Sequence, residues 1–223
     1  MPKARSFLPS KMQHPNYDDL IQFASEGEFE DELQQAKTEF VGRTGDLFES
    51  DSDFESRIAS FLEWYSMDRM VSNVSNSTPA KLFIESVSPE LTTPEIQGLR
   101  GLTRTILSLF EIKKMKGTSV NLLDILSSEK YQATTSAPLL GVEPGDIIES
   151  RLYSHGDAHF LSDIVHTQPS TVKKPILKAA KEFQKEGRDY TRIQMVQRVA
   201  FLRNRAVRYA HVDPKKIFSE LSI

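Results

Sequence analysis

The chain contains no cysteine. That excludes disulfides, thiolate metal sites and a cysteine nucleophile. No apolar run approaches the roughly 18 residues needed to span a bilayer. The start, Met1-Pro2-Lys3-Ala4-Arg5, is basic, but no apolar signal core follows it. A cytoplasmic protein with no membrane insertion is expected. Asn73-Val74-Ser75 and Asn76-Ser77-Thr78 match the glycosylation pattern, and in that setting they are a polar loop. Internal repeats and low-complexity segments are missing. So are a nucleophile elbow, a phosphate-cradling glycine loop and a His-Glu-x-x-His pair. No cofactor is expected, and an enzyme is the less favoured class.

What is present is an average globular composition, 39% hydrophobic and 26% charged over 223 residues. Such a chain buries a sizeable core. The net charge of −3 hides a separation of sign. Residues 14–60 hold 13 acids and 3 bases, and residues 171–216 hold 13 bases and 4 acids. Ends of such opposite sign attract each other or recruit different partners.

The local pattern divides the chain into four parts. Residues 1–15 carry Pro2, Pro9 and Pro15 and read as a flexible tail. Residues 16–104 read as an acidic helical region. Helices are expected from Asn16, over 28–41 up to Gly42 and Gly45, through Phe54 to Tyr65, over 81–87 and from Thr93. Residues 105–168 change to strands over 105–115, 119–126, 130–136, 146–153 and 158–166. Gly117, Ser127-Ser128, Pro144-Gly145 and His155-Gly156 separate them. Residues 169–223 return to basic helices, one breaking at Gly187 and one starting at Thr191. The expected class is α+β, one compact domain overall, with N-terminal helices, a small antiparallel barrel or bent sheet of five to six strands, and C-terminal helices.

Residues 28–187 resemble an uncharacterised bacterial family often found with SEC-C motif proteins. The residues that carry the likeness include Phe40, Arg43-Thr44-Gly45, Phe61-Leu62-Glu63-Trp64-Tyr65, Asp68-Arg69, Ser108 to Ile112, Leu122-Leu123-Asp124, Gly145-Asp146 and Arg151-Leu152. The resemblance implies a shared fold and supplies no activity. The SEC-C motif needs clustered cysteines, so no metal site is carried over. Residues 100–166 resemble a PilZ-like barrel through Arg100-x-x-x-Arg104 and a displaced Asp124 to Ser127 segment. That likeness implies a cyclic-dinucleotide site in which two guanidiniums clamp phosphates. The serine of that pattern is displaced by one, its glycine is missing and Glu129 suits a phosphate badly, and two ordinary arginines at a helix end explain the pattern as well.

Two further clusters carry chemistry. His155-Gly156-Asp157-Ala158-His159 places three of its residues, His155, Asp157 and His159, on one strand face if the strand runs straight through, which suits a zinc-like ion. Read as a hairpin turn, the same residues need no further role. Lys173, Lys174, Lys178, Arg198, Arg205 and Arg208 form a basic helical surface. The plain reading is a helix pair that packs on the domain and faces water. The others are an acidic partner, including the chain's own N-terminal helices, or nucleic acid. Arg192 and Arg203 fall close to the apolar stripe of the last long helix, where pairing with acids or burial in an interface is expected. That stripe, Met195, Val199, Leu202, Ala206 and Tyr209, would suit self-association if exposed.

The favoured function is a non-enzymatic regulatory or protein-interaction module with a protein partner or self-association. A cyclic-dinucleotide sensor is the alternative, and nucleic-acid binding the next.

Overall fold

A computed structural model describes residues 16–72, 74, 77–185 and 191–221. The expected tail, the Gly187 break and Asn73, Ser75 and Asn76 lie outside them. Eight α-helices and five strands are described. They are α1 (Tyr17–Ser25), α2 (Glu30–Thr44), α3 (Phe54–Met67), α4 (Pro79–Val87), α5 (Thr93–Leu99), β1 (Thr105–Lys116), β2 (Ser119–Asp124), β3 (Lys130–Thr134), β4 (Ile147–His155), β5 (Ala158–Thr167), α6 (Lys173–Phe183), α7 (Arg192–Arg208) and α8 (Pro214–Phe218). The class is α+β, and no described helix is long and apolar enough to cross a membrane.

Local chemistry sets most boundaries. Gly45 takes φ +92° and ends α2, a backbone geometry that favours glycine. Thr191 and Gln194 form a reciprocal capping box at the start of α7. Asp213 caps α8 through the Lys215 amide. Thr92, one residue before the expected cap, faces Glu95 at the start of α5.

The strands close into a barrel in the order β1-β2-β3-β5-β4. Four contacts are antiparallel, but β3 and β5 run parallel. The barrel is therefore mixed, not wholly antiparallel, and has five strands. The cause is the 135–146 connection. It carries the chain from β3 to β4 on the far side of β1, and the β4–β5 hairpin then lays β5 beside β3 in the same direction. Phe110, Ile112, Leu122, Ile148, Leu152 and Leu161 fill the interior.

Helices α6, α7 and α8 cover one outer side of the barrel. Met195, Val199, Leu202 and Ala206 pack there with Leu109, Ile125 and Ile147. The stripe is thus buried, so the condition for a self-association face there is not met. Tyr209 leaves the stripe, because it follows the last helical turn and is 45% exposed. On the other side α3 brings Phe61, Trp64 and Tyr65 against Phe40 of α2. The hydrophobic packing leaves a polar seam between the helices and strands β4 and β5.

Candidate functional site

The seam is built from charges that the flanking elements force inward. Glu63 lies in the core-facing run Phe61 to Met67 of α3 and is fully enclosed. Its Oε1 accepts from Tyr153 Oη at 2.8 Å and from Ser162 Oγ at 2.7 Å. Its Oε2 lies 3.3 Å from Arg151 Nε. Arg151 is 0% exposed, donates to Thr105 Oγ1 at 2.6 Å and is paired with Asp68. Burial pushes the Glu63 carboxyl up, and Arg151, Ser162 and Tyr153 pull it back. Burial works against the Arg151 cation, but Asp68 and Glu63 outweigh it and hold that guanidinium above its ordinary range.

A second group lies one ladder step along β4. Glu149 is the cross-strand partner of His166 on β5. Arg203 of α7 donates to Glu149 at 3.3 Å, and both Arg203 nitrogens on its other side reach Asn204 Oδ1. Asn204 in turn donates to the Thr44 carbonyl at 2.8 Å. His166 Nε2 meets Ser60 Oγ of α3 at 2.8 Å. Burial, then Arg203 and Arg57, hold the imidazole well below its ordinary value. It is neutral.

Between the two groups is a small chamber of about 20 Å³, with Ser60, Glu63, Glu149, His166 and Gln197 in its wall. Gln197 is 4% exposed, and neither its Nε2 nor its Oε1 has a hydrogen-bond partner in the protein. Phe40, Trp64, Leu107, Ile164, Val196 and Ala200 make the rest of the wall apolar, and a space of that size has room for about one water molecule. The Ser60–His166 contact has the length of a nucleophile–base pair. Yet the single Ser60 proton is directed to the Ser56 carbonyl at 3.0 Å, so the hydroxyl accepts from the imidazole. With no room for a substrate beside it, this pair is a joint between α3 and β5.

The residues singled out in the sequence are placed as follows. Arg100 and Arg104 are exposed, in and just after a short 3-10 turn that leads into β1. Asp124 is fully buried. It accepts from Ser108 Oγ at 2.7 Å and the Leu126 amide at 2.9 Å, and is paired with Arg192. Its strand partner is Phe110. Phe110 is six positions along the chain from Arg104, roughly 20 Å of extended chain. One half of the expected clamp thus precedes β1 and the other faces its middle. Ser127 Oγ accepts the Glu129 amide at 3.3 Å and shapes the turn after β2.

Gly156, with φ +59°, and Asp157 form the β4–β5 turn. His155 pairs with Ala158, and Ser154 pairs with His159. Adjacent strand positions point to opposite faces, so His155 and His159 do not share one. This corrects the expectation of a common face, which required the strand to continue through the turn. His159 Nδ1 contacts Ser154 Oγ at 3.1 Å. Among the described residues, no group of three or more His, Asp or Glu side chains is gathered to hold a metal ion.

The C-terminal arginines are engaged within the chain. Arg205 pairs with Glu220 at 2.5 Å, and Arg198 donates to the Glu220 carbonyl at 2.9 Å. Arg208 reaches Asp51 at 3.3 Å and stacks over Phe48. Arg192 and Arg203 hold buried acids, as their place beside the stripe led one to expect. Lys173 donates to Glu111 at 3.0 Å and to the Gly145 carbonyl at 2.6 Å. Lys174 and Lys178 are exposed.

No protein-family model matches the chain, and no curated protein or solved structure matches it either. The likenesses drawn from the sequence rest on their own residues alone.

One feature of the barrel had no signal in the sequence. β3 pairs with β5 only at Ala133–His159 and Thr134–Phe160. Beyond Phe160, no described strand lies on that side of β5. The Gln168 amide donates to the Ile147 carbonyl at 2.9 Å, which fixes the alternation of the β4–β5 ladder. By that alternation, the backbone groups of Val165 and Thr167 point away from β4. They face a groove of about 450 Å³ formed with the 135–142 loop. Leu140, on the loop, is 90% exposed. Asp163 accepts from Ser136 within the groove.

Proposed function

We propose that the protein is a non-enzymatic, cytoplasmic interaction or regulatory module that captures an extended peptide of a protein partner along the open edge of β5. The observation that carries this reading is the free edge at Val165 and Thr167 beside the exposed Leu140. An extended peptide added there gains main-chain hydrogen bonds, and its alternate side chains meet the loop. Leu139, Leu140 and Val165 favour apolar side chains at those positions. Asp163 favours a cation next to them.

The engagement of most interior charges with one another supports the same reading. The seam joins helices to barrel and offers a substrate no space. A groove outside a rigid barrel is a binding feature of a different kind.

The test is selection of a random peptide library on the purified protein, followed by calorimetry. Peptides with alternating apolar residues and a cation are expected. Leu140→Asp is expected to weaken them about ten-fold or more, equivalent to roughly 1.4 kcal/mol. Methylating alternate peptide amides is expected to do the same, because it removes the edge hydrogen bonds. A library that yields no binder, or binders indifferent to Leu140→Asp, overturns the reading.

A further inference from the structure

Among the described residues, several exposed lysines in no ion pair are on the barrel, away from the helix in which the sequence concentrates arginine. Two rows of the β1-β2-β3 sheet face outward. One is Lys114, Asn121 and Gln132, and the other is Lys116, Ser119 and Thr134. The intervening row, Met115, Val120 and Ala133, points into the barrel core. Lys130 continues the outward face beside Leu123. Lys114, Lys116 and Lys130 are exposed and are in no ion pair of the described structure. Lys113, in the bulge of β1, is paired with Glu111 at 2.8 Å.

Helix α6 stands beside this face. Lys173 anchors its first turn to Glu111 and Gly145. Gln184, just after it, is anchored to the Ile125 carbonyl at 2.9 Å. Ile176, Ala179 and Ala180 turn inward, so Lys174, Lys178 and Lys181 form a stripe on the opposite side. All three are exposed, and Lys178 alone has an acid near it, Glu182 at 4.0 Å. Glu111 is engaged by two lysines and Glu129 by Tyr131. Glu143 and Asp146 lie on the far flank beside Gly145.

We propose that this lysine-bearing sheet and the α6 stripe bind the phosphate backbone of a single-stranded nucleic acid without reading its sequence. The sheet is a floor and the helix a wall that rises about 10 Å above it. Lys114 and Lys116 are two residues apart on one strand, about 7 Å, a spacing that suits successive phosphates of an extended strand. Asn121, Gln132, Ser119 and Thr134 add hydrogen-bonding groups between the charges. The step between floor and wall follows a flexible single strand and obstructs a rigid duplex. The floor presents no exposed aromatic ring on which bases could stack, so contacts fall on the backbone. An acidic peptide is the less favoured occupant, because the floor has no pocket for its side chains.

The surface is distinct from the β5 groove, so the two readings fail separately. Fluorescence anisotropy with labelled oligothymidylate and oligouridylate tests this one. Binding is expected at low salt, with log affinity falling at a slope of about −2 against log salt for three phosphates contacted. Charge reversal in K114E/K116E/K130E is expected to cost about ten-fold or more and to flatten that slope. The paired arginines supply the control, and R198E/R205E is expected to keep affinity within about two-fold. All these side chains are exposed or half-exposed, and single K116E serves if the triple variant does not fold. Absence of binding at low salt overturns the proposal. So does a triple variant that binds like the parent, or loss confined to R198E/R205E. Polyglutamate that competes as well as the oligonucleotide reassigns the surface to an acidic protein and overturns it too.

Discussion

Arg151 of β4 and Glu63 of α3 meet 3.3 Å apart with the guanidinium wholly shielded from water. The pair ties the N-terminal helices to the barrel, and Asp68 completes the charge balance. Removing one partner leaves the other buried without compensation. Arg151→Met is expected to cost about 3–5 kcal/mol in urea unfolding. Adding Glu63→Met to it is expected to recover part of that loss, because the fully buried carboxylate is then gone and only Asp68, 14% exposed, lacks its partner. A double variant weaker than Arg151→Met would show that shape, not charge, governs the site.

Acid lability should begin with His166. Its folded value is well below the ordinary 6.5, owing to burial and to Arg203 and Arg57. Between those values the unfolded chain binds a proton that the folded chain refuses. The stability it contributes is complete above 6.5 and is lost as pH falls. Glu63 and Glu149 act with the opposite sign, since burial raises them above the ordinary 4.5. The folded chain keeps their protons where the unfolded chain has released them, so their contribution falls as pH rises above 4.5. The comparison with His166→Gln isolates the imidazole. From pH 7 to 5, urea midpoints of the parent are expected to fall relative to that variant. Parallel midpoints across the window would remove His166 as the cause.

Gln197 lines the chamber beside Val196 and Ala200, with neither end of its amide bonded to the protein. Gln197→Met keeps the length and removes two polar atoms. A gain of about 1 kcal/mol is expected, read from thermal melting. A loss of similar size would mean that water in the chamber bridges the amide to Glu149 or His166.

Local elements were legible because their signals are local. Thr191 and Gln194 cap α7, Gly45 stops α2, and Gly156 turns the β4–β5 hairpin within a few residues of where the sequence places each event. The partners of charged residues were not legible. Glu63 and Arg151 are 88 positions apart, and nothing between them announces their meeting. Asp124 looked like a ligand-binding acid, but its position at the end of β2 turns it into the anchor of Arg192. The parallel β3–β5 contact depends on how a hairpin folds back over a connection, which no window of sequence contains. Lys113, Lys114 and Lys116 were visible as residues, but strand register alone tells which of them share a face.

The β3–β5 contact has a consequence for motion. Every other junction of the barrel holds five or more residue pairs, whereas this one holds two. The barrel is a hoop with a short clasp. Thermal opening begins where fewest bonds must break, so the clasp parts first while β1 and β4 remain joined. The stretch of β5 that opens there is continuous with the edge at Val165, and a strand entering that edge would find its site lengthening as it binds.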